Sequence, residues 1–286
     1  MVGGVTQGDL PSRCCYEHAL ADASKAIALG SENPQAFLLL ARNNERLAAW
    51  ELVLRHSSRA LELSAHNPEA LTLKGRALLA LGQKEAGLEV YGQAIAASPG
   101  NTRLRVERAS VLHQQQRYDA AIADCDQAIT LDPRAIQAFA LRAHCYLQQR
   151  KIEDSLRDCE KAIALDPRQA LPLLVRARVM ISRKDSAKAV ADCASALKLQ
   201  PDSAWGYSTL ALALMQQNRP EEALAATTKA LQIAPNDTES YATRGRAFIA
   251  LRRYKSAAQN IDRAIELDPS LKSSFAAELE ELKNRR

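Results

Sequence analysis

Three cysteines, Cys125, Cys159 and Cys193, stand 34 residues apart. Such a ladder invites metal or redox chemistry, because thiolates bind soft metals and exchange disulfides. The rest of the chain does not supply the partners. Cys14, Cys15 and Cys145 complete the set of six, with no CxxC pair and no zinc spacing. His18, His56, His66, His113 and His144 are scattered, and no pair sits at i, i+4 around a glutamate. No Ser–His–Asp arrangement stands out, and GRALLALGQK and SRKDSAK lack the spacing of a phosphate-binding loop. The better-matched residues are ionic. Asp124, Asp158 and Asp192 are also 34 apart, and Arg108, Arg142 and Arg176 run in step with them. Guanidinium and carboxylate pair in a bidentate fork without any cofactor. The matched columns predict structural Arg–Asp pairs, with no catalytic residue, metal or cofactor.

The elements that position these columns follow from a repeat. Pro99, Pro133, Pro167, Pro201, Pro235 and Pro269 recur every 34 residues without insertion. With that proline at position 32, the full units are 34–67, 68–101, 102–135, 136–169, 170–203, 204–237 and 238–271, Ala65 replacing the proline in the first. Position 27 is always alanine, from Ala60 to Ala264, and position 8 is always alanine or glycine. Position 20 is small or modest throughout, from Val53 to Ala257. Small residues at fixed places let two helices approach closely. In 102–135, RLRVERASVLHQQQ reads as a first helix and DAAIADCDQAITL as a second, with a turn near Arg117–Tyr118. The proline ends the second helix and starts the link to the next unit. The Arg and Asp columns occupy positions 7 and 23, one on each helix. Unit 204–237 lacks both, carrying Leu210 and Ala226.

A 34-residue helix–turn–helix with segments such as YDAAIADCDQAITLDP and YKSAAQNIDRAIELDP resembles the tetratricopeptide repeat family. The resemblance covers residues 34–271. It implies an all-α fold, a right-handed superhelical solenoid of antiparallel helix pairs. Around those seven units, residues 1–15 read as an irregular N-terminus, with glycines and a proline where a first helix should be. Residues 16–33 read as a half repeat, YEHALADASKAIAL matching a second helix with Ala26 in the alanine column. Residues 272–286 read as a capping helix with Phe275, Leu279 and Leu282 on one face. The family buries position 24, which makes Cys125, Cys159 and Cys193 core residues. Neighbouring units lie on the order of two interhelical distances apart, beyond the reach of about 7 Å between Cα atoms that a disulfide requires. Cys14 and Cys15 receive no role.

The resemblance also implies a binding groove lined by the first helices. The exposed stripe is expected at positions 2, 5, 6, 9, 12 and 13, with positions 4, 7, 8 and 11 packed inside. Position 9 runs Arg42, Arg76, Ser110, His144, Arg178, Leu212, Arg246. Such a row suits carboxylates or an acidic peptide, although Glu69, Glu107 and Glu239 in the same groove dilute its field. Around His144 and Arg178 the groove becomes apolar, with Ala140, Leu141, Leu147, Leu171, Leu174, Val175 and Ile181. Trp205, Leu212 and Met215 extend this patch, which makes residues 140–215 the expected docking site. The family's clamp for heat-shock chaperone tails wants Lys at position 5 and Asn at position 9 of one unit. It then wants Asn at 6 of the next, and Lys at 2 and Arg at 6 of a third. No three successive units here satisfy it.

Composition bounds the function classes. The net charge of +5 contains no run of five like charges, so it lacks the dense basic block of many nucleic-acid proteins. No basic start with an apolar run marks an export signal, and no stretch of eighteen apolar residues marks a membrane span. Free thiols without an export signal suit the cytoplasm. The leading expectation is a non-enzymatic scaffold or adaptor that holds another protein or peptide, an acidic one if the Arg row binds it. One alternative is a regulatory or targeting module of an enzyme on another chain or lost from a longer array. Another is helical-repeat RNA binding, which Ser110 and Leu212 argue against by interrupting the row. Neither membrane nor nucleic acid is expected as a partner. The open helix 16–29 offers a route to self-association.

Overall fold

The computed structural model describes residues 10–284, with side chains over 18–280 and at Leu282. The described residues form an all-α array of antiparallel helix pairs, with no strand. The chain divides into two compact units, Met1–Pro133 and Arg134–Arg286. The first contains α1 (Leu10–Ala28), α2 (Pro34–Arg46), α3 (Trp50–Leu63), α4 (Pro68–Ala80), α5 (Lys84–Ala97), α6 (Thr102–Gln114) and α7 (Tyr118–Leu131). The second contains α8 (Ile136–Gln148), α9 (Ile152–Leu165), α10 (Ala170–Ser182), α11 (Ser186–Leu199), α12 (Ala204–Gln216), α13 (Pro220–Ile233), α14 (Thr238–Ala250) and α15 (Tyr254–Leu267). A 3-10 turn, Pro269–Lys272, then leads to α16 (Ala276–Asn284).

Local chemistry sets these boundaries. Asn33, Asn67, Asn101, Ser203 and Asp237 cap first helices by accepting hydrogen bonds from free backbone amides of the first turn. Second helices end where the residue before the proline becomes extended, as at Asp132 (φ −136°, ψ 99°) and Asp166 (φ −152°, ψ 108°). Between the helices of each pair, position 15 turns left-handed. Ala48, Gln116, Arg150, Lys184, Asn218 and Arg252 have φ between 53° and 62°, and Gly82 has φ 80°. A side chain there costs about 1 kcal/mol relative to glycine. Gln116→Gly is therefore expected to raise stability by about 1 kcal/mol and Gly82→Ala to lower it by a similar amount. Opposite shifts of the urea midpoint check this pair. A Cβ at Gly82 would meet nothing within 4 Å, so the effect isolates backbone strain.

The cores sit between paired helices and between successive pairs. The position-27 alanines, from Ala60 to Ala264, are all buried. A Cβ on Gly87 would lie 2.7 Å from Leu79, and one on Gly75 would lie 3.0 Å from the Tyr91 ring. Ser155, in the same small column as Gly87, donates its hydroxyl to the Ala143 carbonyl at 2.7 Å.

The two ends differ from the sequence expectation in detail. α1 begins at Leu10, inside the stretch 1–15 read as irregular, because Pro11 in a first turn forfeits no helical hydrogen bond. Residues 1–9 lie outside the described part. α1 packs on α2. At the other end the cap does not begin at Lys272. Asp268 holds a 3-10 turn first, accepting from the Ser270 amide at 3.0 Å and hydroxyl at 2.7 Å. Phe275 and Leu282 are then buried against Ile261 and Ala264, with Leu279 beside them. No described helix is long and apolar enough to cross a membrane.

Candidate functional site

The Arg and Asp columns meet within each pair of helices. Arg108 grips Asp124 at 2.7 and 2.6 Å, Arg142 grips Asp158 at 2.7 and 2.8 Å, and Arg176 grips Asp192 at 2.8 and 2.7 Å. All three aspartates are buried. The hydrogen bonds to Asp124 and Asp192 raise the pKa of Arg108 and Arg176 above the usual arginine value. A fourth member carries asparagine in place of aspartate in this column, a change of residue type that hides it in the sequence. Arg244 of α14 donates to Asn260 of α15 at 2.7 Å. Without a carboxylate there, burial lowers the Arg244 pKa.

In the first unit, Arg42 and Arg76 line a cleft of about 440 Å³ with Glu45, Glu69, Thr72 and Arg103. Neither arginine waits for an external anion. Arg42 is paired with Glu69, and Arg76 makes a fork to Glu107 at 2.6 and 3.0 Å and a bond to Glu45 at 3.0 Å. Burial works against the Arg76 charge, but the bonds to Glu107 and Glu45 outweigh it and hold its pKa above the ordinary value. Glu107 also accepts from the buried Tyr91 hydroxyl at 2.8 Å and from Arg103 at 2.8 Å. Burial opposes its charge as well, and these donors still hold its pKa below the usual carboxylate range. The acids that were expected only to dilute the field neutralise these two arginines.

In the second unit, His144 of α8 stacks on Trp205 of α12 with ring centroids 5.0 Å apart. The two residues reach over α10. Arg178 of α10 reaches over α12 in turn and meets Glu239 of α14 at 2.7 Å, beside the Ser208 hydroxyl at 3.5 Å from Glu239. Gln216 donates to the Ile181 carbonyl at 2.9 Å. Arg246 contacts Glu278 of α16 at 3.4 Å and lies over the Phe275 ring at 4.7 Å. Leu171 is exposed at this face, and Leu147, Leu212 and Met215 are half-buried. The structure therefore brings His144 against Trp205 and Arg178 against Glu239, whereas Met215 packs on the core cluster of Ala211, Leu214 and Ala223.

The expected stripe is narrower than its sequence spacing implied. Leu174 and Val175 are 2% and 0% exposed, and Ala140 and Leu141 are also buried. Leu174 belongs to a core cluster with Leu173 and Ala177 and is not available to a partner. The reason is stacking: α8 packs on α10, α10 on α12 and α12 on α14, which covers positions 5 and 6. Position 13 stays exposed, position 12 is half-buried, and positions 2 and 9 range from exposed at Leu171 and Arg246 to half-buried at Trp205, His144, Arg178 and Leu212. Cys125, Cys159 and Cys193 are fully buried, and burial pushes the Cys159 and Cys193 thiols up to about 12, where they are inert. The side chains of Cys14 and Cys15 lie outside the described residues. No cluster of three metal-binding side chains occurs among the described residues.

Comparisons with known proteins agree with this architecture. Tetratricopeptide repeat profiles match residues 72–136 and 141–204, then 204–237 and 238–271. No curated protein matches the chain significantly. Among solved structures, a chain of the APC/C hetero-tetramer Cut9–Hcn1 aligns with a TM-score of 0.72 at 14% identity. The alignment covers 89% of this chain and 50% of that one, so this chain spans half the length of that relative. A tetratricopeptide repeat protein from Parabacteroides merdae aligns with a TM-score of 0.64 at 16% identity, over 93% of this chain and 98% of that one. Pseudomonas aeruginosa pilF gives 0.62 at 18%, over 72% and 94%. With this likeness in fold, and with repeat profiles over most of its length, the chain belongs to the tetratricopeptide repeat family.

Proposed function

We propose that this chain is a protein–protein interaction scaffold whose second unit holds an extended peptide or a helix against its first-helix face. Repeat arrays of this family serve as interaction scaffolds, and stacked units offer an extended surface rather than a closed pocket. The observation that carries the placement is the His144–Trp205 stack at 5.0 Å. A half-buried tryptophan packed beside Leu147, with exposed Leu171 at the same position of the preceding first helix, has the make-up of a binding hot spot. The Arg178–Glu239 pair beside it is charge-neutral. The reading therefore favours apolar anchors over an acidic segment. An acidic ligand would have to displace Glu239 from Arg178.

Affinity purification with mass spectrometry tests this. Trp205→Ala combined with Arg178→Glu is expected to remove the partner that wild type retains. Trp205 also touches the core, so Leu171→Glu, at a surface site, serves as the fold-neutral arm and is expected to weaken retention at least tenfold, a typical hot-spot loss. Unchanged retention by both variants would place the partner elsewhere.

A further inference from the structure

The turns inside the four helix pairs of the second unit carry a charge pattern that folding does not explain. At positions 15 and 16 the residues are Arg150–Lys151, Lys184–Asp185, Asn218–Arg219 and Arg252–Arg253. Six are basic and one is acidic, and every one is exposed. Position 15 is left-handed at Arg150, Lys184 and Arg252, where glycine would be unstrained. A cation there gains from the carboxyl end of the first helix, which offsets that strain at best. Position 16 is the N-cap of the second helix, where both capping and the helix dipole disfavour a cation. Lys151, Arg219 and Arg253 occupy it without a side-chain cap, whereas Asp185 does cap its helix. Intramolecular pairing accounts for little. Arg219 binds Glu222 at 2.6 Å, and Lys151 lies over the Tyr146 ring at 5.7 Å. Arg150, Lys184, Arg252 and Arg253 form no ion pair among the described residues.

We propose that this turn edge of the second unit is an electrostatic docking surface for an anionic lipid bilayer. The charges sit on successive turns of one edge, since every pair repeats the same connection. The nearby acids, Glu153, Asp154, Glu221 and Glu222, stand two or three positions further on, within the first turns of the second helices. A broad surface that touches only the turns meets the cations first. A nucleic acid lying in a groove between helices would meet those acids too, and the edge presents no exposed aromatic for base stacking, Tyr146 and Tyr254 being half-buried. Attraction to anionic headgroups amounts to about fivefold in affinity per basic residue and is screened by salt.

The test uses the full chain and sedimentation with phosphatidylcholine vesicles, with and without phosphatidylserine. Wild type is expected to bind only the phosphatidylserine vesicles and to be released by salt. Arg150→Gly, Lys184→Gly and Arg252→Gly together remove three charges and three strained backbones. That variant is expected to melt higher than wild type yet bind on the order of 100-fold more weakly. Lys151→Ser with Arg253→Ser, which supplies two N-caps, is expected to lose affinity in the same way. Equal retention on neutral vesicles, no retention at all, or unchanged binding by both variants would overturn the proposal. So would retention of wild type on poly-U RNA but not on vesicles, which would assign the edge to nucleic-acid phosphates.

Discussion

Asp192→Ala is expected to destabilise the chain by about 3–5 kcal/mol, whereas Arg176→Met with Asp192→Leu is expected to be nearly neutral. The asymmetry follows from burial. The side chains of Arg176 and Asp192 are only 17% and 8% exposed, and each satisfies the other through two short hydrogen bonds. Alanine at 192 leaves a guanidinium in the core with its charge unanswered. Replacing both removes the desolvation cost together with the attraction. The chain already contains an apolar version, because Leu210 and Ala226 occupy these places in unit 204–237 and pack into the core there. It also contains a version with an uncharged acceptor, Arg244–Asn260, where the guanidinium pKa is lowered by burial. Urea unfolding of the single and double variants checks the prediction. A double variant as damaged as the single would mean that the pair supplies net attraction beyond mutual compensation.

Phe275→Ala should have a comparable effect of about 3–5 kcal/mol, but confined to one end. Phe275 is 1% exposed, packs with Ile261 and Leu282, and lies under Arg246. It anchors α16 over the apolar face that α15 would otherwise leave wet. Units in a repeat array depend mainly on their neighbours, so the loss should fade along the chain. Amide exchange is expected to accelerate in α14, α15 and α16 and to stay near wild type in α8 and α9. Uniform acceleration throughout the second unit would show that it unfolds as one block.

Much of the fold was legible because its determinants recur. A proline every 34 residues and an alanine at position 27 mark helix ends and close contacts in unit after unit. The Arg–Asp pairs were legible through their joint absence at Leu210 and Ala226. The left-handed position 15 was not, since only Gly82 advertises it and six other residues adopt the same turn under strain. Arg244–Asn260 was hidden by a change of residue type within a kept geometry. The candidate site was less legible still. Leu174 and Val175 lie on the predicted face but are covered by stacked first helices, a consequence of packing rather than spacing. The Arg178–Glu239 contact joins residues 61 apart across an intervening unit, and no local pattern encodes it. The arginine row was visible as a column, whereas its neutralisation by Glu69, Glu107 and Glu239 depends on how far each unit advances over the next.

Photo-crosslinking locates the partner on the protein most directly. A benzophenone side chain at position 171, on the first-helix face of α10, is compared with one at position 195, on the exposed side of α11. The account predicts a discrete protein adduct from position 171, lost when Trp205→Ala is added, and none from position 195. An adduct from position 195 alone, or one from 171 that survives the loss of Trp205, would contradict it.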